Sequence, residues 1–299
     1  MTTVPPSMQL EPGVRVGRYR VVAPLGRGGM GGVWEVEDDR GNRYALKSPA
    51  SGMNPAAETT KRFAREANAV RVLDHPNLVT AVEVFVEAGS LFLVMEKVTG
   101  RTLTKVMAEG VMHPRRALLI ARQLLDGAGH AHAQGLVHRD IKPDNIMLAI
   151  MDGGWERAKI VDFGVVKLIG DAEAAMGGGK LTTTGLVFGT PAYMSPEQAM
   201  GKATVDGRTD LYACGVMLFE MLTARVPFDH QDPMMQMKMQ VKAPPPRLDM
   251  LAKGAAWCTP QLIVLCDGAL AKNPDERFPS TQAMLAALDD AFLSLDEVV

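Results

Sequence analysis

Short runs that either alternate hydrophobic and polar residues or are rich in β-branched residues recur in the first hundred positions of the chain. Successive side chains of a strand point to opposite faces, so this period of two predicts β-strands. The predicted strands are 19–25, 32–37, 43–48, 79–86 and 91–97. Between the third and fourth, Asn54 and Pro55 are typical of a helix start, and Phe63, Ala67 and Val70 follow at helical spacing. We therefore expect a β-rich region that contains one helix.

After Gly100 the hydrophobic spacing changes to three and four residues, the period of an amphipathic helix. Long helices are predicted at 114–134, 210–223, 259–271 and 280–293. The Gly- and Ala-rich residues 170–180 and the prolines at 244–246 interrupt this pattern. A β-rich lobe followed by a mostly helical lobe is the predicted organisation.

Composition and charge exclude several classes of protein. With 299 residues, 47% hydrophobic and 22% charged, the chain is globular and neither disordered nor fibrous. Lys and Arg number 32 against 34 Asp and Glu, a net charge of -2, and no basic stripe is present, so nucleic acid is not an expected partner.

Cysteine usage and hydropathy bear on the compartment. Cys214, Cys258 and Cys266 form no CxxC pair, which argues against a disulfide framework or zinc knuckle and favours a reducing compartment. The first ten residues do not resemble a signal peptide, and the apolar stretches 211–222 and 262–271 are too short to span a bilayer. We expect a cytoplasmic protein without membrane contact in this chain; a sensor, linker or membrane anchor in a longer protein stays open.

Gly26, Gly28 and Gly31 form a GxGxxG motif between two predicted strands. In a dinucleotide-binding fold this motif opens a helix, whereas residues 32–36 here predict a strand. The pattern favours a hairpin whose backbone N–H groups approach phosphate oxygens closely. The Gly-rich residues 177–180 do not match a Walker-type loop, because Ala174 and Leu181 stand at required positions.

The strongest signal is His138-Arg139-Asp140, completed by Asn145 as an HRDxxxxN octet and followed by Asp162-Phe163-Gly164. The octet alone has a chance occurrence on the order of a few in a thousand. With these motifs the sequence resembles bacterial eukaryotic-like (Hanks-type) serine/threonine protein kinases from about residue 19 to 292.

This resemblance implies an α+β, two-lobed protein kinase-like fold, with a β-rich N-lobe that carries one regulatory helix and a mostly helical C-lobe. The expected divisions are an N-terminal extension 1–18, a kinase domain 19–293 made of an N-lobe 19–97 and a C-lobe 98–293, and a tail 294–299. The stretches 149–159 and 170–180 are insertions of unassigned purpose.

The resemblance also implies catalytic roles. Asp140 would orient the substrate hydroxyl, and Lys142 would offset charge on the transferred phosphoryl group. Lys47 would contact the α- and β-phosphates of ATP, held by Glu66 of the regulatory helix. The acceptors would be Ser and Thr hydroxyls of proteins.

ATP and Mg²⁺, with Mn²⁺ as an alternative ion, are the implied cofactors. Asn145 and Asp162 would supply hard oxygen ligands to the metal. Met95 would be the gatekeeper, and backbone groups of Glu96 and Val98 would bind the adenine edge. The remaining implied nucleotide-binding residues are Leu25, Gly26, Arg27, Gly28, Gly29, Met30, Gly31, Gly32, Val33, Ala45, Lys47 and Met147. By spacing alone the apolar members of this set are more often core residues.

The activation segment would run from Asp162 to Glu197 and close with Ser195-Pro196-Glu197 instead of Ala-Pro-Glu, a change we expect to be harmless. Arg277 would form a buried pair with Glu197; the alternative is a surface arginine. The cost of removing one partner from such a buried pair is about 3–5 kcal/mol.

Regulation is predicted within the same segment. Thr182 and Thr184 would be autophosphorylated, and Arg139 would pair with the phosphothreonine; an ordinary hydroxyl-rich loop is the alternative. Thr190 would bond Asp140 and Lys142, which favours Ser/Thr over Tyr acceptors. Autophosphorylation in trans through a homodimer stays open.

Two further groups of residues are assigned structural roles. Met234, Met235, Met237 and Met239 are interpreted as core rather than as a docking surface, and the pair His130 and His132 as structural.

A pseudokinase, a small-molecule kinase and a non-enzymatic interaction module are the rival functions. The complete catalytic set and the peptide-binding segment at residues 189–197 argue against all three.

Overall fold

The computed structural model describes residues 10–28, 31–49, 71–88, 90–162, 190–202 and 205–296, without the side chains of residues 27, 49 and 91. These residues form two compact units. The first contains the described residues up to His75 together with Val79–Thr99, and the second contains Pro76–Leu78 and the described residues from Gly100 onward. The predicted helix at 54–70, which carries Glu66, lies outside the described residues.

The first unit is built on an antiparallel sheet. Its strands are β1 Arg15–Val16, β2 Tyr19–Gly28, β3 Gly31–Glu37, β4 Arg43–Pro49, β5 Ala81–Glu87 and β6 Ser90–Glu96. They are ordered β1-β2-β3-β4-β6-β5. The predicted strands are confirmed, with ends shifted by a few residues. The glycine motif lies in the β2–β3 hairpin, where Gly26 faces Val33 and Gly28 faces Gly31, so the expected hairpin is confirmed.

One face of this sheet carries the core of the first unit, with Val36, Leu46 and Val94 fully buried. Leu10 and Val16 join this core, although the sequence places them in an extension ahead of the domain. Burial of these two apolar side chains removes them from water and stabilises the segment before β2. The boundary at residue 19 stays a prediction.

Helices dominate the second unit. Its elements are β7 Arg101–Thr102, α1 Leu103–Met107, α2 Pro114–Ala133, β8 Ile146–Ile150, β9 Glu156–Ile160, α3 Pro196–Ala199, α4 Arg208–Thr223, α5 Pro233–Lys242, α6 Leu248–Leu251, α7 Pro260–Ala269 and α8 Thr281–Ser294. Strands β7, β8 and β9 form a small antiparallel sheet. The four predicted long helices are α2, α4, α7 and α8, which confirms the helical periodicity. Within the described part of the chain, none of the helices is both long and apolar enough to span a bilayer.

Helix α4 is the core of the second unit. Its side chains are buried on nearly all sides, and it packs against α2 and α7. A helix that is apolar around its circumference belongs in such a position. Gly215 permits the contact with α7, because a Cβ atom at this position would lie 2.5 Å from the Cβ of Ala269.

Gly215→Ala is expected to lower the free energy of unfolding by about 1–3 kcal/mol, since the added methyl group overpacks the α4–α7 contact. Helix propensity acts in the opposite direction, because alanine is better than glycine by about 1 kcal/mol in a helix interior. Urea unfolding followed by circular dichroism measures the balance. A more stable variant would show that α4 and α7 are not closely packed at Gly215.

Helix α5 corrects the interpretation of Met234 and Met235 as core, whereas Met237 and Met239 are half-buried. Met234 and Met235 are exposed, with 43% and 40% of their surface accessible, whereas Gln236 and Gln240 are the buried residues of this helix. Their amides donate to the carbonyls of Phe228 and Ala192. A thioether cannot donate a hydrogen bond, so it could not satisfy these buried carbonyls.

Candidate active site

Asp140, Lys142 and Asn145 are in contact in the loop that joins α2 to β8. Lys142 Nζ lies 3.2 Å from Asp140 Oδ2. Asn145 Nδ2 donates to the Asp140 carbonyl at 2.8 Å and also lies 3.3 Å from Asp140 Oδ2. The 3₁₀ turn Pro143–Asn145 folds the chain back so that these contacts form. A carboxylate, an ammonium group and an amide therefore converge on one point.

The oxygen atoms near this loop suit a hard divalent cation. Because Asn145 Nδ2 is used by the Asp140 carbonyl, Asn145 Oδ1 is left to serve as a ligand. The Val161 N–H donates to the Asn145 carbonyl at 2.9 Å, which brings the adjacent Asp162 to the end of the same loop. Carboxylate and amide oxygens are ligands that Mg²⁺ accepts in proteins, so the donor set fits such an ion.

Asp210, the third residue of α4, anchors the start of this loop. Its Oδ1 accepts from the Arg139 N–H at 2.8 Å, and its Oδ2 accepts from the His138 N–H at 2.9 Å and contacts His132 Nε2 at 2.8 Å. Arg139 has a φ of 63°, a left-handed conformation that costs a non-glycine residue about 1–3 kcal/mol. Gln198 Nε2 donates to the Arg139 carbonyl at 2.8 Å, so both sides of the strained residue are held.

Asp210→Asn is expected to destabilise the protein by about 1.5–3 kcal/mol, the contribution of a hydrogen bond to a charged group. An amide has one acceptor oxygen, so its NH₂ group would face an N–H donor of the loop. In the phosphoryl transfer that the sequence resemblance implies, turnover should fall with little change in the KM for ATP. Thermal unfolding and steady-state kinetics check both effects; unchanged stability and turnover would show that the loop does not depend on this carboxylate.

The predicted phosphate-binding residues of the first unit lie on the glycine hairpin and on β4. Lys47 lies opposite Val33 of β3 and Leu93 of β6. A Cβ atom on Gly32 would lie 2.8 Å from Trp34 Nε1, so glycine keeps the backbone close to this indole. Glu66 lies outside the described residues, as do Gly29 and Met30, so the Lys47–Glu66 pair stays a prediction.

The predicted adenine contacts are divided between the units. Ala45 and Met95 face each other across β4 and β6, and both are buried. The Glu96 N–H donates to the Thr80 carbonyl at 2.9 Å, which narrows the predicted adenine contact of Glu96 to its carbonyl. Leu25 is 47% exposed in the first unit, and Met147 lies on β8 of the second unit.

Glu197 and Arg277 form the predicted buried pair. The two N–O distances are 2.7 Å, and the side chains are 6% and 0% exposed. The other three N–H donors of Arg277 bind the carbonyls of Ala271, Arg208 and Lys272. Burial raises the pKa of Glu197, but the hydrogen bond and charge of Arg277 outweigh it and lower that pKa overall. The alternative of a surface arginine is wrong.

The segment before Glu197 explains why serine is compatible with position 195. Ser195 caps α3 by accepting from the Gln198 N–H, and its hydroxyl lies 2.6 Å from the hydroxyl of Thr209. Thr190 precedes the 3₁₀ turn Pro191–Tyr193 and accepts from the Tyr193 N–H. Its contact with Asp140 and Lys142 stays a prediction, and Thr182 and Thr184 lie outside the described residues.

Comparison with known proteins identifies the family. A model described as the protein kinase domain matches residues 19–287. The chain belongs to the protein kinase family. The sequence resemblance and the two-lobed kinase fold class are thereby confirmed.

Two curated relatives of this kinase domain are bacterial proteins. Serine/threonine-protein kinase Pkn1 of Myxococcus xanthus is 37% identical over 93% of this chain and 39% of that protein. Serine/threonine-protein kinase PrkC of Bacillus subtilis is 34% identical over 92% of this chain and 41% of its own length. The chain thus spans about two fifths of these two relatives.

Solved structures agree with the kinase fold. The kinase domain of Mycobacterium tuberculosis PknI, in a double-mutant form, matches with a TM-score of 0.74 and 27% identity, covering 95% of this chain and 100% of that one. Protein kinases use ATP and a divalent metal ion, which is consistent with the oxygen donors at Asn145 and Asp162.

Sequence reasoning missed three residues that shape this kinase domain: Asp210, Gln198 and Gln240. Each forms a hydrogen bond with a backbone group that is distant in the sequence. Asp210 and Gln198 bind the backbone of Arg139, and Gln240 binds the carbonyls of Pro191 and Ala192. The available signal was polarity, since Asp210 opens a strongly apolar helix. An aspartate in a first helical turn is common for electrostatic reasons, so this signal does not single out an anchor.

Proposed function

We propose that this chain is the catalytic domain of a serine/threonine protein kinase that transfers the γ-phosphate of ATP to Ser and Thr hydroxyls of proteins in bacterial signalling. The observation that carries the proposal is the contact of Asp140 with both Lys142 and Asn145. This arrangement provides one group for the acceptor hydroxyl, one for the phosphoryl charge and one for a metal ion.

Asp140 acts mainly by orientation. An ordinary aspartate has a pKa of about 3.9, so it is a weak base for an alcohol. The transition state of phosphoryl transfer is loose, and little charge develops on the nucleophile early. Holding the hydroxyl in line with the phosphorus atom therefore matters more than removing its proton. Lys142, next to Asp140, stabilises the negative charge of the transferred group.

ATP binds to the nucleotide-binding residues that the sequence resemblance implies. The glycine hairpin and Lys47 hold the phosphates, with Glu66 as the partner of Lys47. Ala45, Met95 and the backbone at Glu96 and Val98 hold the adenine with the other apolar residues of the predicted set. Asn145 and Asp162 would hold Mg²⁺, or Mn²⁺ in its place, which would supply neutralisation of phosphate charge.

Phosphorylation of Thr182 and Thr184 regulates the activity. Among the described residues, the buried Nε of Arg139 has no hydrogen-bond partner, which leaves a donor for a phosphate oxygen. Such a charge-assisted bond would order the activation segment. A homodimer would allow one copy to phosphorylate the other, and Thr190 supports Ser and Thr as the acceptors.

A labelled-ATP assay tests the proposed function. The protein is incubated with [γ-³²P]ATP and Mg²⁺ alone and with peptide libraries that centre on Ser, Thr or Tyr, and modified residues are mapped by mass spectrometry. Transfer to Ser and Thr peptides and to Thr182 or Thr184, lost on chelation with EDTA, is expected. ATP binding without transfer would favour a pseudokinase, and transfer to Tyr peptides alone would overturn the assignment.

A further inference from the structure

The glutamine at position 240 is buried in the last turn of α5. Its side chain is 0% exposed, although glutamine is usually a surface residue. Burial of an amide is unfavourable unless each of its polar atoms is hydrogen-bonded. The hydrogen-bond partners of this amide therefore indicate the role of Gln240.

Gln240 binds the backbone of the 3₁₀ turn Pro191–Tyr193. Its Nε2 donates to the Pro191 carbonyl at 3.0 Å and to the Ala192 carbonyl at 2.6 Å. Its Oε1 accepts from the Tyr212 hydroxyl at 2.6 Å. One amide thus uses both of its N–H donors on two consecutive carbonyls, a two-point attachment that fixes the position of the turn.

Lys272 binds the backbone of Gln240 and the side chain of Tyr212. Its Nζ donates to the Gln240 carbonyl at 2.7 Å and to the Tyr212 hydroxyl oxygen at 3.3 Å, and it lies 3.6 Å from the centre of the Phe228 ring. Because the Tyr212 hydroxyl oxygen accepts a hydrogen bond from Lys272, the hydroxyl proton of Tyr212 is directed to Gln240 Oε1. The amide orientation that presents Nε2 to the turn is therefore the one that the network selects.

The turn that Gln240 binds lies within the segment that leads to α3. It follows Thr190 directly and precedes Ser195, which caps α3. It also precedes Gln198, whose amide donates to the carbonyl of Arg139 in the loop that joins α2 to β8. The sequence resemblance implies that residues 189–197 are the segment that binds the acceptor peptide. A shift of the turn would displace the acceptor peptide while the groups that bind ATP stay in place.

We propose that Gln240 is a positioning residue for the protein substrate, which acts by fixing the Pro191 and Ala192 carbonyls and thereby the segment that binds the acceptor peptide. The inference rests on the proposed function. It assigns Gln240 a role in peptide binding and none in ATP binding, a division that a general structural role does not predict.

Two variants and one matched control test this assignment. Gln240→Met removes both donors at nearly constant volume, and Gln240→Glu keeps an acceptor for Tyr212 but loses both donors. The control is Gln236→Met, because Gln236 is a buried glutamine one turn earlier in α5 that donates to the Phe228 carbonyl instead of the turn. Amide hydrogen exchange at Tyr193 and Met194 and steady-state kinetics with a phosphorylatable peptide are measured for each protein.

For both Gln240 variants we expect faster exchange at Tyr193 and Met194 and a rise of about 10-fold in the KM for peptide, the effect of losing buried hydrogen bonds. The KM for ATP and the peptide-independent hydrolysis of ATP should stay unchanged. Gln236→Met should change none of these quantities. Equal effects in the Gln236 and Gln240 variants, unchanged exchange, or an unchanged peptide KM would overturn the proposal. A wild-type chain that phosphorylates no peptide would instead overturn the proposed function, and with it the substrate role of Gln240.

Discussion

Asp140→Asn is expected to slow phosphoryl transfer about 10²- to 10⁴-fold, with ATP affinity nearly unchanged. The amide is neutral and has one acceptor oxygen, so it holds a substrate hydroxyl less firmly. Lys142 Nζ and Asn145 Nδ2 both contact Oδ2, so the amide oxygen would take that position and the NH₂ group, which is only a donor, would replace Oδ1. Single-turnover transfer to a Ser peptide measures the rate, and titration with ATP measures the affinity.

Asp144→Asn is the matched control for this prediction. Asp144 lies in the same 3₁₀ turn as Asn145, is exposed, and accepts from the Thr104 hydroxyl at 3.0 Å. It carries the same charge but makes no contact with Lys142 in the described residues. The control variant should keep nearly the wild-type rate. Equal losses in the two variants would mean that the net charge of the loop matters, and that Asp140 has no special role.

Much of the fold could be predicted from the sequence because its elements are defined by local periodicity. Strands β2 to β6 are short alternating or continuous apolar runs, and helices α2, α4, α7 and α8 are longer periodic or apolar segments, so a short window contains the signal. The two-residue strands β1 and β7 have no such window. The packing of Leu10 and Val16 on the sheet is likewise a tertiary contact that residues 1–18 alone do not indicate.

The same distinction applies to the site. Asp140, Lys142 and Asn145 are predicted together because they lie within six consecutive positions, which a motif can describe. Asp210 lies more than sixty positions from the loop that it anchors, and Gln240 lies 48 from Ala192, so no local pattern joins them. Met234 and Met235 of α5 show the converse error: hydrophobicity predicted that they are buried, whereas the buried residues of this helix are Gln236 and Gln240, whose amides bind carbonyls.

Arg277→Met is expected to reduce the free energy of unfolding by about 3–5 kcal/mol, because it leaves the Glu197 carboxylate buried without its partner. The carbonyls of Ala271, Arg208 and Lys272 also lose a donor each. Urea unfolding measures the loss. Glu197→Gln, which retains the shape of the side chain, should be less harmful, and provides a folded variant if Arg277→Met does not fold.

The exposed pair Arg247–Asp249 is the control for the buried one. Its charged groups also meet at 2.7 Å, but the side chains are 63% and 37% exposed. Water screens such a pair, so Arg247→Ala should change the free energy of unfolding far less than Arg277→Met. If Arg247→Ala and Arg277→Met cost the same, burial would not determine the strength of the Glu197–Arg277 pair.

The pH dependence of stability gives an independent test of the same pair. Because the pKa of Glu197 is lowered in the folded state, the folded protein binds fewer protons than the unfolded chain as pH falls below the ordinary value of 4.5. The contribution of the pair is therefore present above about pH 4.5 and is lost as pH falls through the folded-state pKa. Wild type should lose stability more steeply than Glu197→Gln across this window. Parallel stability curves for the two proteins would contradict a charged Glu197 in the buried pair.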